Sequence, residues 1–189
     1  MAGVTSSQED ARSGQRVRVA STPAELRVAG EVCVAAYAAA GQLEPGSPYE
    51  ATLLDAAGRA SGGAIVLVAA SGDDIVGSAT ICVPGSPVHE IGRPDEVEFR
   101  FFAVRPDAWH RGVGDALLAA IDAHARRTGA RALVLSVRDI NPGARRMYER
   151  RGFVADPDRD WSPRAGVDLQ VMRSEEHTLN SSHMPVSRM

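Results

Sequence analysis

The residues best suited to chemistry begin at a turn. Arg105-Pro106-Asp107-Ala108-Trp109-His110-Arg111-Gly112-Val113-Gly114 leads from an apolar, aromatic stretch into a run with helical spacing. Free N–H groups at a helix start, with about half a positive charge from the helix dipole, bind phosphate. Gly112 and Gly114 keep Cβ atoms out of a ligand's way, and Arg105, His110 and Arg111 add donors and positive charge. A glycine pair also suits a plain tight turn, so the pair alone decides nothing. Two phosphate-binding classes are excluded. The third glycine of a dinucleotide fingerprint would fall at Leu117, and no acid follows a second strand at the required distance. The chain has no lysine, which removes both the nucleotide loop ending in Gly-Lys-Ser/Thr and Schiff-base chemistry.

A second cluster follows. Leu133-Val134-Leu135-Ser136-Val137-Arg138-Asp139-Ile140-Asn141 runs off an apolar stretch, and Pro142-Gly143-Ala144-Arg145-Arg146-Met147-Tyr148-Glu149-Arg150-Arg151-Gly152-Phe153 continues it. Together with Phe102-Ala103-Val104-Arg105-Pro106 and the glycine turn, it resembles the GNAT superfamily of acyl-CoA-dependent N-acyltransferases. The resemblance covers residues 16–173 and is most specific between Glu98 and Phe153, where two motifs occur in the family's order and spacing.

What the resemblance implies can be stated residue by residue. The fold would be α/β (α+β mixed): a mostly antiparallel sheet of about six to seven strands with a central parallel pair and helices on both faces. The pyrophosphate of acetyl-CoA would lie on Arg111, Gly112, Val113 and Gly114, with His110 beside it. The backbone of Phe102, Ala103 and Val104 would hold the pantetheine arm and thioester, with Asn141 and Ala144 on the opposite wall. Tyr148 matches the family's tyrosine that protonates the departing sulfur. Glu98 matches an acid at the position of the general base, although simple alternation pairs it with Arg100 and Phe102 on one face of its strand, opposite Val97, Phe99 and Phe101. Trp161 and Arg164 fall in a segment that borders the acceptor in such proteins; a large aromatic also suits a cap on the core. The chain departs from the pattern at Trp109, where the family usually has Gln or Arg, and at Asp115, an acid beside the expected pyrophosphate.

The chemistry needs these groups. A neutral amine attacks the thioester carbon, an oxyanion forms and a thiolate leaves. Backbone N–H donors stabilise such oxyanions by about 3 kcal/mol each in other enzymes. No metal or covalent enzyme intermediate is implied. The expected acceptor is a small-molecule amine. A non-catalytic acyl-CoA-binding regulatory module and a transferase acting on a protein N-terminus or side chain are the alternatives, and slow acetyl-CoA hydrolysis separates a catalytic site from a sensor.

The elements that must position these residues are legible from periodicity. Residues 16–19 alternate as a first strand. Thr22-Pro23-Ala24-Glu25 has the residues of a capping box, and helix-spaced apolar residues run to a stop at Gly41. Ser47-Pro48-Tyr49-Glu50 starts a second helix, predicted to run unbroken to about Arg59. Apolar segments 64–70 and 75–82 form a hairpin, and a loop over 84–95 leads to a strand over 97–104. Residues 112–128 spell a helix closed by Gly129, 132–137 a strand parallel to 97–104, and 144–151 a short helix. Two final strands are predicted near 153–155 and 167–172.

The whole chain has 189 residues, 44% hydrophobic and 24% charged, the balance of one globular domain. Its longest apolar run is too short to span a bilayer, and its first residues lack the apolar stretch of a secretory signal, so a cytoplasmic location away from membranes is expected. A net charge of −3 speaks against nucleic acid as a partner. The scattered arginines at 145, 146, 150 and 151 suit a helix surface. Cys33 and Cys82 sit in apolar runs and are expected to be buried packing residues. A homodimer is compatible with the resemblance. Residues 1–15 are expected to be a flexible lead-in. Residues 174–189 resemble a translated sequencing adapter and are expected to be an artefactual, disordered tail; an intact reading frame in the source DNA would refute this.

Overall fold

A computed structural model of the chain describes residues 8–10 and 14–175. One mixed sheet runs through it. Its strands are β1 (Gln8–Asp10), β2 (Gln15–Val19), β3 (Ile65–Ser71), β4 (Asp74–Cys82), β5 (Glu96–Val104), β6 (Ala132–Arg138), β7 (Val154–Ala155), β8 (Trp161–Arg164) and β9 (Val167–Glu175). The spatial order is β1-β2-β3-β4-β5-β6-β9-β7, with β8 also on β9. Every pairing is antiparallel except that of β5 with β6. The central parallel pair and mostly antiparallel character match expectation, but there are nine strands among the described residues. The two additions are Gln8–Asp10, inside the expected lead-in, and Trp161–Arg164, which turns at Gly166 (φ +76°) and pairs with β9. The last strand continues to Glu175, with Ser174 buried opposite Leu133, so two residues assigned to the tail belong to the sheet. Residues 176–189, the rest of that tail, lie outside the described residues.

Helices cover both faces. On one, α1 (Pro23–Ala39) is closed at its start by the predicted capping box of Thr22 and Glu25. It buries Ala29, Val32, Cys33 and Ala36 against Val66, Val68, Phe101 and Ala103. The expected second helix is two, α2 (Tyr49–Leu54) and α3 (Ala56–Ser61). Asp55 breaks them: its side chain accepts from Gly58 N–H at 2.8 Å and caps the second helix, so it cannot continue the first. On the other face α4 (Val113–Thr128) buries Val113, Leu117, Leu118, Ile121 and Ala125 against Leu67, Ala69 and Phe99. The short α5 (Pro142–Glu149) follows β6. Cys33 and Cys82 are free, buried thiols, and burial pushes the Cys33 thiol up to about 11.

Gly77 on β4 sets how closely α4 can approach. A Cβ there would stand 2.7 Å from Val113 Cγ1 and 3.1 Å from Leu117 Cδ1. Valine is stiff about χ1 and cannot swing away. Gly77→Ala is therefore expected to cost about 1–3 kcal/mol of stability by overpacking; a chemical denaturation midpoint equal to wild type would refute the close approach.

Candidate active site

β5 and β6 pair only at Glu96↔Ala132, Val97↔Leu133 and Glu98↔Val134. Beyond that point β5 follows β4 to Val104 while β6 follows β9 to Arg138, and the two part. The backbone edges they turn towards each other then have no strand partner. A cavity of about 270 Å³ lies there, with Phe99, Phe102, Leu135, Ser136, Asn141, Ala144 and Tyr148 on its walls. Unpaired backbone N–H and C=O groups need partners, so the slot suits an extended ligand carrying amide groups.

A bulge shapes the wall. The β4–β5 register slips between Ser78↔Ala103 and Thr80↔Arg100, and Phe101 has a φ of +52°, in the left-handed region that a bulky residue rarely adopts. Phe99 and Phe102 consequently both join the α4-side core, whereas Phe101 and Ala103 join the α1-side core. The alternation read from sequence fails at this bulge: Phe102 is opposite Glu98, not beside it. Arg59 and Arg100 hold Phe101, with guanidinium carbons 4.0 and 5.3 Å from its ring centre.

Tyr148 is 5% exposed and lines the cavity. Its ring is fixed by Phe99, Phe102 and Phe153, with centroids 6.1, 5.9 and 5.5 Å away. Burial pushes its phenol well above the ordinary tyrosine range, so it keeps its proton. Asn141 caps α5, its Oδ1 accepting from Ala144 N–H at 3.1 Å, and both residues line the cavity as expected.

At one edge of this region stands the start of α4. Gly112 is its N-cap with φ +78°, and His110 also has a positive φ of +62°. No side chain caps this terminus, so its first N–H groups are offered outward. A Cβ on Gly114 would meet Phe102 and Val104 only at ordinary contact, 3.7–4.0 Å, so internal packing does not demand glycine there. Asp115, the acid that looked out of place, is engaged by Arg151, whose Nε donates at 2.7 Å. Trp109 donates from Nε1 to the Val104 carbonyl at 2.7 Å while remaining 41% exposed. It clamps the end of β5 instead of offering a long polar side chain to a ligand. Arg105 pairs with Asp107, and Arg111 lines a smaller hollow with Gln15 and Asp74.

Glu98 requires correction. It is 2% exposed and absent from the cavity wall. Its Oε2 accepts N–H bonds from Glu90, Ile91 and Gly92 at 2.9, 2.9 and 3.0 Å. Glu96 takes the next N–H, that of Arg93, at 3.1 Å. Two carboxylates at the start of β5 thus bind four successive loop amides, and Glu98 fastens a loop rather than facing an acceptor. The carboxylate that this loop presents to the cavity is Glu90, paired with Arg100 at 3.1 Å.

The far end of the cavity is assembled from distant segments. Tyr37 comes from α1, Gln42 and Ser47 from its connection to α2, Tyr49 from the start of α2, Arg100 and Arg138 from β5 and β6, and Trp161, Pro163 and Arg164 from β8. Trp161 and Arg164 are where expected, and Trp161 Nε1 donates to Ser136 Oγ at 3.2 Å. Tyr37, Arg100 and Arg138 were missed; no local pattern marks them, because only the folded sheet brings them together.

The family model for the acetyltransferase (GNAT) family matches residues 34–153. The chain belongs to the GNAT acetyltransferase family. No curated protein matches the sequence. A solved GNAT-family structure from Desulfovibrio desulfuricans is 25% identical, with a TM-score of 0.67, covering 86% of this chain and 99% of its own. The PaiA N-acetyltransferase of Thermoplasma acidophilum, solved with coenzyme A, is 16% identical with a TM-score of 0.64, covering 85% and 98%. YncA of Salmonella typhimurium, solved with acetyl-CoA, is 20% identical with a TM-score of 0.57, covering 92% and 99%. The central parallel pair and the glycine turn before α4 are therefore present in a member of the family. No helix among the described residues is long and apolar enough to cross a membrane.

Proposed function

We propose that this chain transfers the acetyl group of acetyl-CoA to the amino group of a small molecule. The observation that carries the reading is the slot between β5 and β6, with Tyr148 on its wall and the uncapped α4 terminus at its edge. The pantetheine arm lies along the unpaired edges, against Phe102, Ala103 and Val104 on one side and Asn141 and Ala144 on the other. The pyrophosphate takes the N–H groups of Val113 and Gly114, with Gly112, His110 and Arg111 around it.

The amine nitrogen attacks the thioester carbon, and the carbonyl becomes an oxyanion. As it collapses the C–S bond breaks, and the sulfur takes the Tyr148 proton to leave as free CoA thiol. The proton lost by the amine passes to solvent or to Glu90, the one carboxylate among the described lining residues. Reprotonation of Tyr148 completes the cycle, giving an amide and CoA.

The test is thermal unfolding of the full chain with acetyl-CoA, followed by transfer to a broad amine panel. At about 100 times Kd the ligand adds about 2.7 kcal/mol, or roughly 5–10 °C for a domain of this size. No shift with acetyl-CoA or CoA would overturn the reading. A shift without transfer or hydrolysis would turn it into that of an acyl-CoA-binding module.

A further inference from the structure

The walls of the cavity carry three guanidiniums, Arg100, Arg138 and Arg164, and one carboxylate, Glu90. Arg100 is accounted for: its Nη1 is 3.1 Å from Glu90 Oε1 and 3.2 Å from the Val88 carbonyl. The other two have no carboxylate partner among the described residues. Arg138 spends Nη1 on the Gln42 carbonyl at 3.1 Å, and its Nε is sealed from solvent without any partner. Arg164 projects from β8 and is exposed. The remaining polar groups at this end, Gln42, Ser47, Tyr37 and Tyr49, are neutral, and burial holds both phenols above the usual tyrosine range.

Two uncompensated positive charges therefore border the place where the amine must enter. A guanidinium this poorly matched favours a bidentate oxyanion partner. A purely cationic acceptor, such as a diamine or a lysine side chain, would meet repulsion from both guanidiniums, and the one carboxylate on the described walls is already paired with Arg100. Nor does the donor explain the arginines, because its phosphates belong at the α4 terminus, outside this set of lining residues.

We infer that the acceptor is a small amine that also bears an anionic group, a carboxylate, held by Arg138 and Arg164 while its amino group faces the thioester. The inference rests on the acetyl-transfer reading and narrows its substrate class. The same two charges favour the neutral form of the bound amine over its ammonium, which lightens the demand on a base at a site where Glu98 is tied up.

The experiment uses the full chain, saturating acetyl-CoA and release of CoA thiol as readout. The panel contains α- and ω-amino carboxylates, the carboxamide twin of each, putrescine and a C-terminally amidated peptide. At least one amino carboxylate is expected to exceed its carboxamide by about tenfold or more in kcat/KM, chiefly through KM. Arg138→Gln should bring the pair to within about twofold while Kd for acetyl-CoA stays unchanged. Arg164→Gln, at an exposed position, should reduce the preference in the same direction if Arg138→Gln fails to fold. Reaction of carboxamides, putrescine or the peptide as well as or better than the carboxylates overturns the inference and leaves acetyl transfer standing. A preference that survives both substitutions overturns the role of the two arginines. Failure of every amine to react, with acetyl-CoA bound, overturns both readings together.

Discussion

Tyr148→Phe is expected to lower kcat for acetyl transfer by about 10- to 100-fold, roughly 1.4–2.8 kcal/mol of barrier, with Kd for acetyl-CoA essentially unchanged. The substitution removes one oxygen and leaves a ring that still packs on Phe99, Phe102 and Phe153. Stability should therefore hold, and the loss should sit in the chemical step. The proton balance is unfavourable at first sight: a thiol near 8.5 is a stronger acid than a tyrosine phenol, and burial raises the Tyr148 phenol further. The departing thiolate, however, forms in the same apolar slot, where its own charge is equally unwelcome. A phenol that never ionises is also always loaded with its proton. The raised value gives a second readout: wild-type kcat should show no descending limb from Tyr148 up to about pH 10, where an ordinary phenol would begin to lose its proton. Wild-type turnover in Tyr148→Phe would remove the acid role. A large fall in acetyl-CoA affinity would make the residue a wall of the slot and nothing more.

How much of this was legible in the sequence depended on how local the signal was. The helix start at Gly112, α4 with its closing Gly129, and the short helix that carries Tyr148 lie where the spacing predicts them, because capping residues and helical spacing act within a few residues. Glu98 was not legible in this way. Its role as base came from the resemblance and not from the strand pattern, and the bulge at Phe101 moves Phe102, not Glu98, to the other side of the sheet. Its partners are amides of the preceding loop, and a backbone N–H leaves no trace in a sequence. Asp55 was legible in principle as a helix cap, but the leucines before it and the alanines after it masked the break. Gly77 carried a real signal, a glycine inside a strand, which marks close approach of another element. The acceptor wall was only half visible: Trp161 and Arg164 came from resemblance, whereas Arg138 meets Gln42 across 96 residues of chain.

The pair of acids at the start of β5 also carries the largest stability prediction. Glu96→Gln is expected to cost about 3 kcal/mol, the lower end for breaking a buried ion pair, or roughly 6–12 °C in Tm at this size. Glu96 is 6% exposed, and its two oxygens receive Arg159 at 2.7 and 3.1 Å and Arg173 Nε at 2.7 Å. Burial alone would raise its carboxyl, but the hydrogen bonds from Arg159 and Arg173 outweigh that and bring it down to about 2. A depressed folded-state value means that the unfolded chain binds the proton first. The stabilisation is complete above the ordinary glutamate range and drains away as pH falls from about 4.5 towards 2. The variant should therefore be less stable at neutral pH and lose less on acidification than wild type. The cost stays at the low end because Arg159 retains Asp156 and Arg173 retains Glu175. The site should register the change too, since Arg159 lies two residues before β8 and also donates to the Ile91 carbonyl at 3.3 Å. With Glu96 neutral, both the hairpin bearing Trp161 and Arg164 and the loop bearing Glu90 lose a fixed point. The slot between β5 and β6 keeps its walls. KM for the acceptor is thus expected to rise more than Kd for acetyl-CoA. Equal stability of the variant at neutral pH would show that the two arginines find solvent as readily as they find Glu96.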